Sequence, residues 1–171
     1  MDFTLRDGRV EDVCPLPASS QRTIARNATQ GRYTCNRLDP LFTELFCKLQ
    51  DPETNGKVVK VSPEKVLCIG EVERGRIISV PDVTVFFLEE GNSRNGYQHI
   101  IARHRTDFAN RGIPESQIID FINQRISQDS AKYTLPGQSG GLGSVYEFDG
   151  KEYNIVVSDN GYIVSSYPLP S

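Results

Sequence analysis

The first clear hydrophobic pattern in the chain is helical and lies between residues 39 and 50. Apolar side chains recur there at intervals of three and four residues: Leu41, Phe42, Leu45, Phe46 and Leu49. This spacing places them on one face of an α-helix, and that face must be buried. Asp39 is a favourable N-cap and Pro40 a favourable first helical residue. The sequence therefore predicts an amphipathic helix from Pro40 that ends before Asp51-Pro52.

Residues 57–88 have a pattern typical of β-strands. Four runs rich in β-branched residues are separated by turn-forming residues, and the runs are 57–61, 66–69, 76–80 and 83–88. We expect each run to form a short strand. The polar segment 89–96 then interrupts the pattern. We interpret it as the boundary between two modules, residues 1–92 and residues 93–171.

Two further helices are predicted after this boundary. Tyr97, Ile100, Ile101 and Phe108 recur at helical spacing, and Gly112 stands where that helix would stop. A second apolar face predicts a helix over residues 114–127. Residues 129–143 are rich in Gly, Ser and Pro and predict a flexible loop. The loop lacks the lysine and the spacing of a P-loop, which argues against a nucleotide cradle.

The last thirty residues predict an antiparallel meander. Alternating runs at 144–148, 152–158 and 162–167 are joined by the hairpin turns Asp149-Gly150 and Asn160-Gly161. Helices precede strands in this half, so we predict an α+β fold. In detail, we expect a C-terminal domain of two helices packed on an antiparallel β-meander, preceded by a small mixed module that contains the cysteines.

The four cysteines all lie in the first seventy residues: Cys14, Cys35, Cys47 and Cys68. Their spacing contains no Cys-x-x-Cys, so a tetrahedral zinc site is poorly supported. An even number confined to one module favours two disulfides, which would form in an oxidising compartment. The three pairings remain open, and four reduced, buried cysteines are the alternative.

The charge and hydropathy of the chain exclude some classes of protein. The formal net charge is −3 over 171 residues, so a general electrostatic attraction to nucleic acid is not expected and any such contact must be local. No run of eighteen apolar residues is present, and no membrane span is expected. The first residues lack the apolar core of a signal peptide.

The stretch 94–105 carries the most distinctive chemistry, because it holds both histidines of the chain, His99 and His104. Arg94, Arg103 and Arg105 flank or separate them. Imidazole takes and gives protons near neutral pH, and arginines suit a phosphate. His104 also shares the apolar stripe of its predicted helix, so a buried structural histidine is the alternative. No cluster of His, Cys, Asp and Glu suggests a metal site.

The order of these elements resembles a known superfamily. The His-Ile-x-x-Arg-His helix, the second amphipathic helix and the final strand Gly-Tyr-Ile-Val-Ser-Ser-Tyr-Pro are similar to the barnase–EndoU–colicin–RelE ribonucleases. They are most similar to the C-terminal toxin domains of contact-dependent growth inhibition and polymorphic toxin effectors. The resemblance covers residues 95–168, roughly half of the chain. The N-terminal half does not share it.

The resemblance implies catalytic roles for His99, His104, Ser165 and Tyr167. Arg103 matches the cation between the histidines, and Arg103 or Arg105 would bind the substrate phosphate. The implied activity is that of an endoribonuclease without a metal or other cofactor. It would cleave RNA by attack of the 2′-hydroxyl, with the two histidines as base and acid. Many members also carry a catalytic lysine, but Lys132 and Lys151 match no motif here.

The resemblance further implies a biological setting. The protein would be a secreted bacterial toxin, delivered at the cell surface and acting in the cytoplasm of the target cell. Its partners would be an RNA substrate, with transfer RNA as one candidate, and a cognate immunity protein. Residues 1–92 would act as a translocation domain that uses an envelope receptor of the target cell. A non-catalytic, disulfide-stapled binding module and a DNase on the same scaffold remain open as alternatives.

Overall fold

The computed structural model describes residues 31–138 and 140–170. Over these residues the elements in chain order are β1 (Arg32–Thr34), α1 (Pro40–Leu49), a 3₁₀ helix (Pro63–Lys65), β2 (Val66–Glu71), β3 (Val85–Glu89), α2 (Tyr97–Ala109), α3 (Glu115–Gln128), β4 (Tyr133–Pro136), β5 (Leu142–Phe148), β6 (Lys151–Val157) and β7 (Ile163–Pro168). The strands form two antiparallel sheets, ordered β1-β2-β3 and β4-β5-β6-β7. The α+β class is therefore confirmed. None of the described helices combines the length and the apolar character needed to cross a bilayer.

Helix α1 begins as its sequence predicts. The side chain of Asp39 accepts a hydrogen bond from the backbone N of Leu41 at 2.9 Å, and Pro40 is the first helical residue. The apolar face of α1 packs on the β1-β2-β3 sheet in a small core. Its fully or almost fully buried members are Phe42, Leu45, Phe46, Leu49, Val59, Val66, Ile69, Val85 and Phe87. Burial of this face is what stabilises a helix of only ten residues.

The larger core is shared by elements on both sides of segment 89–96. It joins Phe86 and Leu88 of β3 to residues of α2, α3 and the β4-β5-β6-β7 sheet, among them Ile100, Phe108, Ile122, Tyr153 and Ile155. Strand β3 also bonds to the turn that precedes β7, because the backbone N of Phe87 donates to the carbonyl of Gly161 at 2.9 Å. Segment 89–96 thus connects elements of one hydrophobic core. The division into modules 1–92 and 93–171 stays a prediction about how the parts fold in isolation.

Three local predictions are wrong. Residues 57–61 and 76–80 are not strands. Val58 is exposed, and residues 76–80 form turns that bury Ile77 alone. The backbone N of Val80 donates to the carbonyl of Ile77 within such a turn, so the β-branched residues there join neither sheet. Within the predicted loop 129–143, strand β4 pairs with β5. The strand has only four residues, ends at Pro136 and has mostly exposed side chains, so its alternation is too short to indicate a strand.

The predicted meander is confirmed as strands β5, β6 and β7. Asp149 and Gly150 join β5 to β6 with φ values of 54° and 79°, the left-handed conformation of a tight hairpin turn. The register of β6 and β7 pairs Asn154 with Tyr167 and Val156 with Ser165. This register decides which side chains of the two strands lie next to each other.

One of the two predicted disulfides is confirmed. Cys35, which follows β1, is bonded to Cys68 of β2, and their Cα atoms are 4.1 Å apart. The bond links neighbouring strands of the first sheet. Cys47 lies on α1, and none of the described cysteines is a free thiol. Cys14 lies outside the described residues, so the pairing of the remaining cysteines stays a prediction.

Candidate active site

A pocket lies between helix α2 and strand β7. It is lined by Arg94, His99, Arg103 and His104 on or just before α2, by Val156 of β6, by Val164, Ser165 and Tyr167 of β7, and by Gly137, Gln138 and Gly140 of the β4–β5 loop. The pocket thus brings together the four residues for which the family resemblance implies catalytic roles. Two come from one helix and two from the last strand, which lie far apart in the chain.

Gly96 fixes the start of α2 against β7. Its φ of +82° is a left-handed conformation that favours glycine, and a Cβ there would lie 2.7 Å from Oη of Tyr162. The backbone N of Gly96 donates to the carbonyl of Val164 at 2.9 Å. This bond holds the first turn of α2 beside the strand that carries Ser165 and Tyr167.

His99 lies in this first turn and is almost completely buried, with 4% of its surface exposed. Its Nδ1 is 3.1 Å from the carbonyl oxygen of Ser93. A carbonyl only accepts, so Nδ1 carries a hydrogen and donates it. In the neutral ring, Nε2 is therefore the unprotonated nitrogen. Ser93 thereby selects the tautomer of His99.

His104 is held in the same way, one helical turn further on. Its Nδ1 is 3.2 Å from Oδ2 of Asp107, so Nδ1 donates and Nε2 is again left for proton transfer. Burial lowers the pKa of His104 below its usual value; the carboxylate of Asp107 opposes this, whereas the positive charges of His99 and Arg103 add to it. The net direction is downward, so His104 favours its neutral form.

Aromatic contacts connect the two histidines to β7. The ring centroids of His99 and His104 are 5.9 Å apart in an edge-to-face arrangement. The ring of His104 stacks on Tyr167 with centroids 5.0 Å apart and planes inclined by 28°. Ser165 is two residues before Tyr167 on the same strand and is nearly buried beside the histidines. The three rings thus contact one another in turn, and Ser165 lines the same pocket.

The arginines divide into two kinds. Arg103 and Arg94 line the pocket and are exposed to solvent, where a phosphate can reach them. Arg105 does not line it; its guanidinium pairs with Glu115 on α3 at 3.3 Å. Side chains two residues apart on a helix point in directions about 200° apart, which is why Arg103 faces the pocket and Arg105 faces Glu115. The helical repeat in the sequence already predicts that these two arginines point in different directions.

Three features of the pocket escaped sequence reasoning. The three are Arg94, the β4–β5 loop and Asn154. The sequence indicates Arg94 only as a cation that flanks the histidines, and it predicts only flexibility for the loop. In the structure the backbone N of Gln138 donates to Oη of Tyr167 at 3.1 Å, and so does Nδ2 of Asn154 at 3.1 Å. These contacts depend on the strand register and on closure of the loop over β7, for which the sequence offers no signal.

Neither lysine of this half lines the pocket. Lys132 precedes the edge strand β4 and pairs with Glu147 and Glu152 at 3.1 and 3.0 Å. Lys151 is the first residue of β6 and is exposed. Over residues 31–138 and 140–170, no group of three His, Cys, Asp or Glu side chains has the arrangement needed to hold a metal ion. The titratable groups at hand in the pocket are the imidazoles, the phenol and the guanidinium groups.

A comparison with protein-family models finds no family that matches the chain, and a comparison with curated proteins finds no match either. A proposal about function therefore depends on the geometry of the pocket and on the resemblance of its motifs.

Proposed function

We propose that this protein is an endoribonuclease toxin that cleaves RNA without a metal ion. The observation that carries the proposal is the pocket in which His99 and His104 of α2 meet Ser165 and Tyr167 of β7. RNA contains its own nucleophile, the 2′-hydroxyl next to each phosphate. An enzyme that cleaves it needs a base, an acid and donors for the phosphate charge, and the pocket contains side chains for each role.

In this proposal the two histidines transfer the protons. Nε2 of His104 takes the proton of the 2′-hydroxyl, because burial lowers the pKa of this ring and favours its neutral form. The O2′–P bond forms while the bond from phosphorus to O5′ breaks. Protonated His99 gives its Nε2 proton to the departing O5′. The products are a 2′,3′-cyclic phosphate and a 5′-hydroxyl, so no water molecule is consumed in this step.

The phosphate itself is bound by the cations at the pocket mouth. Arg103 and Arg94 present planar guanidinium groups, which bind phosphate oxygens with two parallel hydrogen bonds. Ser165 and Tyr167 supply neutral donors on the opposite wall. Negative charge builds up on the non-bridging oxygens in the transition state, and these donors stabilise it.

The finer fold and the biological setting are part of the same proposal. Helices α2 and α3, followed by the β4-β5-β6-β7 sheet, support a fold like that of the barnase–EndoU–colicin–RelE ribonucleases. Residues 1–92 would then be the translocation module of a secreted toxin, and an immunity protein would cover the pocket. The Cys35–Cys68 disulfide fits a protein that passes through an oxidising compartment.

The test uses a short RNA of defined sequence and the purified protein in EDTA. We expect cleavage with a 2′,3′-cyclic phosphate on one product and a 5′-hydroxyl on the other. A matched substrate in which the nucleotide before the cleaved bond is 2′-deoxy should resist cleavage at that bond. Folded protein that leaves RNA intact, or that cuts the deoxy substrate equally well, would contradict the proposal. Equal cutting of DNA would favour the DNase alternative.

A further inference from the structure

Tyr167 accepts two hydrogen bonds at its phenol oxygen. The backbone N of Gln138 and Nδ2 of Asn154 both lie 3.1 Å from Oη. A phenol oxygen has two lone pairs and one hydrogen of its own. With two donors directed at the oxygen, both lone pairs are taken, and neither partner uses the hydroxyl hydrogen. That hydrogen is left for an acceptor on the pocket side, since Tyr167 lines the pocket.

The orientation of the Asn154 amide supports its role as the donor to Oη of Tyr167. Its Nδ2 also faces the carbonyl oxygen of Leu135, at 3.4 Å. A carbonyl cannot donate, so the amide atom that faces it must be the nitrogen and not the oxygen. The second hydrogen of Nδ2 then points at Tyr167. Asn154 is thus a donor to Tyr167 and cannot accept the phenol hydrogen.

This arrangement leaves one polar atom unpaired. Asn154 is completely buried in the middle of its sheet, and within the described residues its Oδ1 has no hydrogen-bond partner. A Cβ at Gly143 would overlap this oxygen, so glycine leaves the room that the amide needs. An unpaired buried acceptor destabilises a fold, and such a group calls for an explanation. What distinguishes Asn154 is the bond from its Nδ2 to Tyr167.

The strand register and the stacked histidine fix the phenol in place. Asn154 and Tyr167 are direct cross-strand neighbours on β6 and β7. One face of the Tyr167 ring is covered by His104, with centroids 5.0 Å apart. A ring held by these contacts has little freedom to redirect its hydroxyl. The phenol is therefore preorganised as a donor before any ligand arrives.

We infer that Asn154 is a positioning residue, which holds Tyr167 as a hydrogen-bond donor to a phosphate oxygen bound between α2 and β7. Phosphate oxygens only accept, and they are the natural complement of a phenol hydrogen with no other use. The inference rests on the proposed function only in identifying this phosphate with the scissile phosphate of RNA. Arg94 and Arg103 supply the opposite charge at the same pocket.

Binding of inorganic phosphate tests this without reference to catalysis. The chain contains two histidines, and both line the pocket, so their imidazole proton resonances report on phosphate binding at this site. We would titrate phosphate into the wild type, Tyr167→Phe, Asn154→Ala and the double variant. Each single substitution should weaken binding by roughly threefold to tenfold. The double variant should bind no more weakly than Tyr167→Phe, because Asn154 acts through the hydroxyl.

Asn123 offers a matched control. It is also completely buried, its Nδ2 donates to a backbone carbonyl at 2.9 Å, and its Oδ1 is unpaired within the described part of the chain. It lies on α3 and does not line the pocket. Asn123→Ala should leave phosphate binding unchanged, whatever it does to stability.

Several results would overturn the inference. These are a wild type that does not bind phosphate, a Tyr167→Phe protein that binds it normally, or losses that multiply in the double variant. If Asn154→Ala does not fold, Asn154→Asp keeps the volume but replaces the donor nitrogen by oxygen. Undiminished binding by that variant would also overturn it. If the variants bind phosphate as expected but the protein does not cleave RNA, only the proposed function is refuted. If Asn154→Ala cleaves RNA at the normal rate, only the inference is refuted.

Discussion

The ring of His104 on α2 stacks on the ring of Tyr167 on β7, with centroids 5.0 Å apart and planes inclined by 28°. This contact joins the helix that carries both histidines to the strand that carries Ser165. It also buries one face of the imidazole, and burial is the main reason why the pKa of His104 is lowered. Packing between two elements thus sets the protonation state of the proposed base.

The Asp107 carboxylate should control the acid limb of the pH–rate profile. It raises the pKa of His104 against the larger effect of burial. Asp107→Asn keeps an acceptor for Nδ1 but removes the charge, so the pKa of His104 falls further. The base then stays neutral at lower pH, and the acid limb of kcat/KM should move to lower pH. Asp82→Asn is the control, because Asp82 is an exposed carboxylate near Arg74 and should leave the limb in place. A shift to higher pH would contradict the assignment.

The same lowered pKa predicts how stability depends on pH. In the unfolded chain His104 titrates near its ordinary pKa of about 6.5, and in the folded protein it titrates lower. Between these values the unfolded state binds more protons, so its free energy falls relative to the folded state as the pH drops. The contribution of His104 is fully present above pH 6.5 and is lost as the pH falls through the folded pKa. Denaturant unfolding of wild type and His104→Gln from pH 8 to pH 5 should show a smaller loss in the variant; equal losses would contradict this.

Arg103 and Arg105 provide a matched pair of substitutions on one helix. Arg103 lines the pocket, whereas Arg105 pairs with Glu115 on the exposed surface. Arg103→Ala should lower kcat/KM for RNA cleavage by about tenfold or more, as expected for loss of charged hydrogen bonds to phosphate. Arg105→Ala should change it by less than about threefold, because exposed ion pairs contribute little. Equal losses in both variants would indicate a diffuse attraction to RNA instead of a phosphate site.

The Cys35–Cys68 disulfide should stabilise the protein without taking part in the chemistry. It closes a loop with a sequence separation of 33 residues and lies in the sheet that does not line the pocket. Replacing both cysteines by alanine should lower the free energy of unfolding by about 2–4 kcal/mol. The rate of RNA cleavage by the folded fraction should remain that of wild type. A stable variant with altered cleavage would link this sheet to the active site.

Much of the fold follows from local patterns in the sequence. Asp39-Pro40 specifies the start of α1, and Asp149-Gly150 specifies the turn between β5 and β6, because capping and left-handed turns are local effects. Strand β4 was missed because its four residues are too few for a clear pattern, and its pairing with β5 makes it a strand. The β-branched run at 76–80 shows the converse: its sequence is strand-like, but its backbone forms turns and joins neither sheet.

In the site, too, the local features were predictable from the sequence and the long-range contacts were not. Both histidines were predicted, and their rings meet although they are five residues apart, because His99 lies in the first turn of α2. The positions of Asn154 and Gln138 depend on the β6–β7 register and on a loop folded over the sheet. Those are long-range relationships, which periodicity and spacing do not encode.

Substitution of each histidine tests the central claim most directly when catalysis and stability are measured on the same protein. The measurement is single-turnover cleavage of a defined RNA in EDTA by His99→Ala and His104→Ala, together with thermal unfolding of each variant. If the rings transfer protons, each variant should cleave about 10²–10⁴-fold more slowly even where it is fully folded. If His104 is only a buried structural residue, His104→Ala should unfold at lower temperature yet cleave at the normal rate whenever it is folded, and that result would contradict the account.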